Sequence, residues 1–195
     1  MRLGIDVDGV AANFNASFIP RCIRVTGRDL FPHRPFPIPL WDYPQHYGYS
    51  EAEVRLVWEE ITKDERFWAD LPVYSWTRDF LGCLEGRASV DDVYFITSRP
   101  GVYAKHQTEE WIAKHGGPRR PTVLISSEKG LCAKALRLDA YIDDRDKNVI
   151  DVRTEAPYSR TFLLDHPWNR TFEASAKGIE RIDVPNDMFR HLGVL

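Results

Sequence analysis

The sequence predicts an α/β fold built around a buried, mostly parallel sheet. In the second half of the chain, short runs of apolar residues alternate with segments of helical periodicity, the pattern of buried strands joined by helices. A similar apolar run opens the chain at Leu3 to Val7 and is interrupted and followed by aspartates. Because ligands of such sheets bind at the carboxyl ends of the strands, the polar residues at those ends are the candidate site.

The composition is that of a globular protein with a real core. Of 195 residues, 43% are hydrophobic and 28% are charged, which suits one domain or one domain with a smaller inserted lobe. A net charge of −3 gives no basic surface for a nucleic-acid duplex. The cysteines, Cys22, Cys83 and Cys132, form no CxxC pair, so neither a disulfide framework nor a structural zinc site is expected.

The chain has no pattern that indicates export or a membrane partner. It lacks an apolar run of about 18 residues, and charged residues appear too early for a signal peptide. We therefore expect a cytoplasmic protein.

The segment after the first strand is predicted to begin with a helix, which a proline-rich stretch follows. Asn13 can cap a helix that runs to Gly27, although Pro20 should bend or break it. Five prolines between Phe31 and Pro44 argue against a helix or a central strand there and favour an extended segment or a loop.

A second helix is predicted from Ser50, which forms an S-x-x-E capping box with Glu53. The region 13–74 is thus mainly helical and unusually rich in aromatic residues. For most of these rings, plain packing of a small lobe is the alternative to a role in binding.

From Ser75 onward, strands and helices alternate. The predicted strands cover Val93–Thr97, Thr122–Ser126, Ala140–Asp143 and Thr161–Leu164. The predicted helices are one that ends at Gly86, one over Gln107–Ile112 that stops at Gly116, and one over Leu131–Leu136.

Four groups of polar residues fall at the same edge of this sheet. Gathered carboxylates need a hard divalent cation, and ligation by oxygen alone favours Mg²⁺. A hydroxyl group and a lysine beside that cation suit a phosphoryl group, which a carboxylate held in line can attack. The four groups are Asp6 with Asp8, Thr97 with Ser98 and the following Arg99, Lys129, and Asp143 with Asp144.

In this order the motifs resemble those of the haloacid dehalogenase (HAD) phosphatase superfamily. The first is Ile5-Asp6-Val7-Asp8-Gly9-Val10, the second Phe95-Ile96-Thr97-Ser98, the third Lys129, and the fourth Tyr141-Ile142-Asp143-Asp144. The resemblance implies a HAD-like Rossmannoid three-layer core with a parallel sheet at residues 1–12 and 75–195. A small helical cap at residues 13–74 would be inserted after the first strand.

The resemblance also implies roles for the carboxylates. Asp6 would be the nucleophile, and Asp8 the general acid that protonates the leaving oxygen and then the base that activates water. Mg²⁺ would be held by Asp6, by the backbone carbonyl of Asp8, and by either Asp143 or Asp144, of which Asp144 is the favoured direct ligand.

The phosphate-binding residues follow from the same resemblance. They are Thr97, helped by Ser98, and a lysine. Lys129 has the spacing of bacterial family members, whereas Lys134 lies closer in sequence to Asp143 and is the alternative.

A narrower resemblance is to the 5′(3′)-deoxyribonucleotidase branch. The segments that carry it are "DVDGVAANF", "RFWADLP", "TSRP", "WIAKHGG" and "LLDHPWNR". It implies a nucleoside monophosphate as the small-molecule partner, with Phe14 and other cap aromatics stacking on the base and Arg99 among the substrate-binding residues. The base, the sugar and the position of the phosphate stay open, as does a homodimer. His166-Pro167-Trp168-Asn169 either borders the site or is a plain loop.

Three other functions compete with this interpretation. A HAD phosphatase for a sugar phosphate would call for a more polar pocket than the aromatic cap offers. A receiver domain would carry its acidic pair and its nucleophilic aspartate on successive early strands, with no lobe between them, whereas here Asp-x-Asp comes first and the Asp-Asp pair last. A non-catalytic nucleotide-binding relative should lack Asp6 or Asp8, and both are present.

Overall fold

A computed structural model describes residues 1–32, 40–84 and 89–194 of the chain. Its centre is a sheet in which every paired strand is parallel to its neighbour, in the order β3-β2-β1-β4-β5-β6. The strands are β1 (Arg2–Ile5), β2 (Asp92–Thr97), β3 (Thr122–Ile125), β4 (Ala140–Asp143), β5 (Arg160–Leu164) and β6 (Glu180–Ile182). The predicted α/β fold with a parallel sheet is confirmed.

Helices connect the strands and cover the sheet. They are α1 (Phe14–Thr26), α2 (Tyr43–His46), α3 (Glu51–Lys63), α4 (Thr77–Gly82), α5 (Ala104–Lys114), α6 (Lys129–Leu136), α7 (Asp146–Glu155) and α8 (Asp187–His191). Two short 3₁₀ turns lie at Pro167–Asn169 and Ser175–Lys177.

The first strand lies in the middle of the sheet and is buried on both faces. Leu3 and Ile5 point to one face and are fully buried, and on the other face Gly4 packs so closely against Leu138 that a Cβ there would overlap it. In the sheet Ile5 lies opposite Phe95 of β2 and Ile142 of β4. The three strands therefore end at the same edge of the sheet.

The first helix ends where the sequence indicates, but Pro20 does not break it. The Asn13 side chain accepts a hydrogen bond from the backbone of Ala16 at 3.3 Å, and Gly27 ends the helix with a φ of 69°. Pro20 lies inside α1 on its exposed face. The neighbouring residues Phe18, Ile19 and Cys22 are buried, so tertiary packing holds the helix across the missing hydrogen bond.

The proline-rich segment also differs from the prediction at its end. A single helical turn, α2, includes Pro44, which is tolerated because it stands in the first turn, where the backbone N–H needs no helical partner. The part of the predicted extended segment at 33–39 lies outside the described residues. The capping box of Ser50 and Glu53 at the start of α3 is confirmed.

Several element bounds were missed by the periodicity. Helix α5 begins three residues before the predicted start, and α6 begins at Lys129 rather than Leu131. Helix α4 ends at Gly82, and the predicted end at Gly86 lies outside the described residues. Helices α7 and α8 and strand β6 were not predicted. Helix α7 buries only Val149 and Val152, and β6 has only three residues.

One apolar cluster runs from the sheet into the helices that precede β2. It includes Ile5 and Phe95 of the sheet together with Phe18 of α1 and Ile61 of α3. The segment that leads from β1 into α1 and the segment that leads from α3 back towards β2 lie side by side, and they pair in antiparallel fashion at Ala12 and Val73. We propose that residues 13–74 form the cap and residues 1–12 and 75–195 the catalytic core.

Candidate active site

The site lies at the sheet edge where β1, β2 and β4 end. Asp6 directly follows β1, and its backbone N–H donates to the carbonyl of Ile142 at 3.0 Å, which extends the pairing with β4 by one residue. Asp143 ends β4 and Thr97 ends β2. Strand pairing thus brings together residues that are far apart in the chain, and Asp6 and Asp143 are separated by more than a hundred positions.

Three of the predicted carboxylates form a compact buried cluster. One oxygen each of Asp6, Asp143 and Asp144 lies within 4.8 Å of the others. Their exposures are 6%, 0% and 0%, so water does little to screen the mutual repulsion. The carboxylate of Asp8 is not part of this cluster.

The two aspartates of the fourth motif have different hydrogen-bond partners. Asp143 accepts bonds from the Tyr141 hydroxyl at 2.5 Å, from the Asn148 amide at 3.0 and 3.1 Å, and from the Arg145 backbone at 2.9 Å. Asp144 Oδ2 accepts one bond from the Trp168 indole N–H at 3.0 Å. Asp144 Oδ1 is buried and accepts no hydrogen bond from the described residues.

Burial and mutual repulsion disfavour the ionised forms of Asp6 and Asp144. Burial raises the pKa of Asp6 to about 7, and the Lys129 ammonium opposes this while Asp143 and Asp8 add to it. Burial, followed by the charges of Asp143 and Asp6, raises the pKa of Asp144 well above its ordinary value. A divalent cation would relieve this repulsion, and the unpartnered oxygen of Asp144 is a ready ligand for it. The donor set therefore fits a hard cation.

The lysine at the site is Lys129. It is fully buried, and its Nζ donates to Asp6 Oδ1 at 2.7 Å and to the backbone carbonyl of Ile96. Lys134 is exposed and forms an ion pair with Glu155 at 3.0 Å. Because Lys129 begins α6, its side chain reaches across the strand ends to the carboxylate that follows β1.

Asp8 is held by a buried arginine. Arg99 Nε and Nη2 donate to the two carboxylate oxygens of Asp8 at 2.9 and 2.8 Å, a bidentate pair. The third guanidinium nitrogen donates to the Thr108 hydroxyl at 2.9 Å, and the group lies 4.9 Å from the ring centroid of Trp68. Thr97 Oγ1 also donates to Asp8, at 3.4 Å. Arg99, predicted to bind substrate, is thus bonded to Asp8 here, although it also lines the cavity.

The remaining predicted phosphate-binding hydroxyl is more accessible. Ser98 is exposed at the end of β2, and its Oγ donates to the backbone carbonyl of Ser126 at 3.1 Å. Both Thr97 and Ser98 line the same cavity as Asp6 and Asp8.

A cavity of about 330 Å³ opens onto these groups. Phe14, the predicted stacking residue, is part of its wall and is itself stacked, with ring centroids 5.6 Å from Trp58 and 5.9 Å from Trp68. Aromatic residues supply much of the lining: Phe14, Phe18, Trp41, Tyr43, Trp58, Trp68 and Trp168.

The structure decides between the two alternatives for the segment His166-Pro167-Trp168-Asn169 and adds residues that the sequence did not indicate. Trp168 contacts Asp144, so this segment borders the site and is not a plain loop. Arg145 lines the cavity, and its guanidinium lies 4.2 Å from the ring centroid of Trp41. Asn148 supports Asp143 from α7, a helix that the periodicity did not reveal. The position of Arg145 directly after Asp143-Asp144 was the available signal.

Several solved structures have a similar fold. A haloacid dehalogenase-like family hydrolase from Streptococcus pneumoniae matches with a TM-score of 0.65 at 11% identity, over 98% of this chain and 97% of its own. A predicted phosphatase from Clostridium acetobutylicum matches with a TM-score of 0.66 at 12% identity, over 100% and 98%. A HAD family hydrolase from Deinococcus radiodurans R1, with bound phosphate and sodium, has a TM-score of 0.60 at 11% identity, over 100% and 96%. The fold is that of HAD-like hydrolases.

A comparison with protein families identifies the family of the chain. Residues 1–189 match the family described as 5′ nucleotidase, deoxy (Pyrimidine), cytosolic type C protein. The chain belongs to this family and is a phosphoric monoester hydrolase. A search of curated proteins gives no match. Within the described part of the chain, no helix has the length and apolar character needed to cross a membrane.

Proposed function

We propose that the protein is a Mg²⁺-dependent nucleotidase that hydrolyses (deoxy)nucleoside monophosphates to nucleoside and phosphate through an aspartyl-phosphate at Asp6. One observation carries the proposal. The buried Asp6, hydrogen-bonded to Lys129 and clustered with Asp144, lies at a cavity with aromatic walls. A phosphoryl group and a base could be held there together.

The metal would be held by Asp6, Asp144 and the backbone carbonyl of Asp8. Asp143 has its oxygens engaged by protein donors, which favours a supporting role for it. When bound, Mg²⁺ would neutralise charge on the phosphoryl oxygens as the reaction proceeds.

In the first step, an Asp6 oxygen attacks phosphorus while the bond from phosphorus to the ester oxygen breaks. Asp8 gives its proton to that leaving oxygen, so the nucleoside departs neutral. Lys129 Nζ, already 2.7 Å from Asp6, would stabilise the negative charge of the transferring group. The hydroxyl groups of Thr97 and Ser98 would donate to the phosphoryl oxygens.

In the second step, water attacks phosphorus and the bond to the Asp6 oxygen breaks. The Asp8 carboxylate left by the first step takes the proton of this water, which restores both aspartates and releases phosphate. The bidentate bond from Arg99 fixes the Asp8 carboxylate in orientation between the steps.

The aromatic wall favours a nucleotide over a sugar phosphate. A base that stacks on a side chain such as Phe14 gains roughly 1–3 kcal/mol. The matched family is described as a 5′ nucleotidase of deoxy and pyrimidine type, which favours the 5′-phosphates of deoxyribonucleosides as first substrates to test. A cytoplasmic location accords with the cytosolic type in that description and remains a prediction, as does a homodimer.

A phosphate-release screen tests the substrate. Purified protein is assayed with Mg²⁺ against ribo- and deoxyribonucleoside 5′- and 3′-monophosphates beside sugar phosphates, with an EDTA control. We expect the highest kcat/KM with a nucleoside monophosphate and no turnover in EDTA. A preference of tenfold or more for a sugar phosphate, about 1.4 kcal/mol of transition-state discrimination, would overturn the substrate assignment.

A further inference from the structure

The geometry points to Trp168 as a positioning residue for Asp144: its indole N–H engages one carboxylate oxygen and leaves the other for Mg²⁺. The inference rests on the metal site of the proposed function but not on the identity of the substrate. The segment His166-Pro167-Trp168-Asn169 would then orient a metal ligand, in addition to placing Trp168 in the cavity wall.

The two oxygens of Asp144 have different surroundings. Trp168 Nε1 donates to Oδ2 at 3.0 Å, whereas Oδ1 is buried without a partner among the described residues. Asp144 itself has no exposed surface, so bulk water does not compensate Oδ1. A single hydrogen bond to a ligating carboxylate fixes which oxygen is offered to the metal, as is general around metal sites.

The indole is held in place by its neighbours. The ring of His166 stacks on Trp168 with centroids 4.2 Å apart and planes 5° apart. His166 is buried, and its Nε2 donates to the backbone carbonyl of Gly9 at 2.7 Å. Gly9 lies against Asp144 so closely that a Cβ there would overlap its carboxyl group. The turn after Asp8 and the indole thus contact Asp144 and fix its side chain.

A second set of bonds holds the backbone of the segment. Asn169 Nδ2 donates to the backbone carbonyls of Asp144 at 2.8 Å and Leu164 at 2.7 Å. Arg181 of β6 donates to Asn169 Oδ1 at 2.7 Å and to the carbonyl of Phe172 at 2.8 Å. Because these groups are buried or half-buried, the position of Trp168 is set by the core and not by the substrate.

Trp168 also lines the cavity, so contact with substrate is the competing role. A residue that only forms the wall would change KM for the substrate and leave metal affinity in substrate-free protein unaltered. A positioning residue would change metal affinity without substrate. The two roles therefore separate in a binding experiment.

The test is a titration of substrate-free protein with Mn²⁺, in which the concentration of free Mn²⁺ is measured by electron paramagnetic resonance. Trp168→Phe keeps an aromatic ring for the stack on His166 and removes the N–H donor. The matched control is Trp111→Phe, because Trp111 is fully buried and its indole N–H donates at 2.7 Å to the carbonyl of Leu71. Steady-state kinetics at saturating Mg²⁺ and thermal melting accompany the titration for each variant.

We expect Trp168→Phe to weaken Mn²⁺ binding by about 10–100-fold, the usual effect of losing a partner of a ligating group, and Trp111→Phe to leave it within about twofold. High Mg²⁺ should restore most of the kcat of Trp168→Phe. Unchanged Mn²⁺ affinity with a raised KM would overturn the inference and assign Trp168 to the wall.

If Trp168→Phe does not fold, Arg181→Lys is tested instead, since Arg181 supports Asn169 without lining the cavity. A loss of Mn²⁺ affinity of at least fivefold is then expected, and no loss would overturn the inference. Failure of the unaltered protein to bind Mn²⁺ would reject the proposed metal site itself, which is a distinguishable result.

Discussion

At the scale of single residues, Asp6 and Asp8 illustrate how two nearby carboxylates obtain different tasks. Asp6 is buried beside Asp143 and Asp144 and has Lys129 as its cationic partner. Asp8 is partly exposed and is held by Arg99. Asp6, which belongs to the buried carboxylate cluster, suits the nucleophile, and the more accessible Asp8 suits proton transfer with the leaving oxygen and with water.

Replacing these two aspartates should therefore have different effects. Asp6→Asn should abolish turnover, because it removes the nucleophile. Asp8→Asn should slow turnover by roughly 10²–10⁴, the usual effect of a lost general acid/base. Phosphate release measures both, with circular dichroism to confirm folding. Near-normal turnover in Asp6→Asn would contradict the covalent route.

The fourth-motif aspartates give a second prediction. Asp144→Asn should raise the Mg²⁺ concentration for half-maximal activity more than Asp143→Asn, because one oxygen of Asp144 accepts no hydrogen bond from the described residues, whereas both oxygens of Asp143 accept them. Asp143→Asn should lower the melting temperature more, since it disrupts the bonds from Tyr141 and Asn148. Activity against Mg²⁺ concentration and thermal melting provide the measurements. Equal shifts in Mg²⁺ requirement would contradict the assignment of the direct ligand.

The sequence predicts which residues gather, but not all of their bonds. Motif order places Asp6, Asp143 and Asp144 at one edge because each follows an apolar run. The bond between Arg99 and Asp8 depends on Thr108 of α5, which supports the guanidinium from the side away from the carboxylate. That bond follows from how the helix packs on the sheet, and no spacing in the sequence reveals it.

At the scale of elements, the turn after β1 is shaped by the close approach of Asp144. Gly9 has a φ of 85°, and a Cβ there would overlap the carboxyl group of Asp144. Gly27 at the end of α1 has a similar φ of 69° but nothing within 4 Å of a Cβ. Substitutions at these two glycines therefore distinguish the effect of backbone strain from the effect of a clash with Asp144.

Gly9→Ala should abolish Mg²⁺-dependent activity by displacing Asp144. Gly27→Ala should cost only the strain of a left-handed residue, roughly 1–2 kcal/mol of unfolding free energy, and retain activity. Urea unfolding and phosphate-release assays on both variants check this. Full activity in Gly9→Ala would show that the turn leaves Asp144 more room than the structure indicates.

Local signals identify elements best where a cap or a continuous apolar run is present. The capping box of Ser50 marks the start of α3, and Gly27 marks the end of α1. Helix α7 was missed because it buries little, and β6 because two of its three residues are charged. Both nonetheless serve the site, through Asn148 and Arg181. Their value comes from tertiary contacts, which periodicity does not record.

At the scale of the whole molecule, the aromatic residues between β1 and β2 fall into two groups. Some pack in the apolar core and others line the cavity, so both alternatives from the sequence apply. Phe31, Tyr49 and Phe67 are buried in the apolar cluster and do not line the cavity, whereas Phe14 and Trp58 do. Composition predicts only that this region is rich in aromatic residues. Which rings face the cavity depends on the packing of α1 against α3, so the sequence alone could not assign them.

The raised pKa values give the whole fold a pH-dependent stability in the absence of metal. The pKa of Asp6 is raised from an ordinary value of 3.8 to about 7, so the native state retains a proton that the unfolded chain has lost between these values. The contribution is fully present below about pH 4 and is lost as the pH rises through about 7. Asp144, whose pKa is also raised, acts in the same direction.

In EDTA, the unfolding free energy of the unaltered protein should therefore fall relative to that of Asp6→Asn as the pH rises from about 4 to 7. Asparagine resembles the neutral acid and has no proton to lose, so the variant lacks this contribution. Urea unfolding of both proteins at several pH values measures the difference. Saturating Mg²⁺ should flatten it, because the cation binds the ionised carboxylate and repays its desolvation. A difference that does not change with pH in EDTA would show that Asp6 is already ionised in the metal-free fold, with Lys129 outweighing burial.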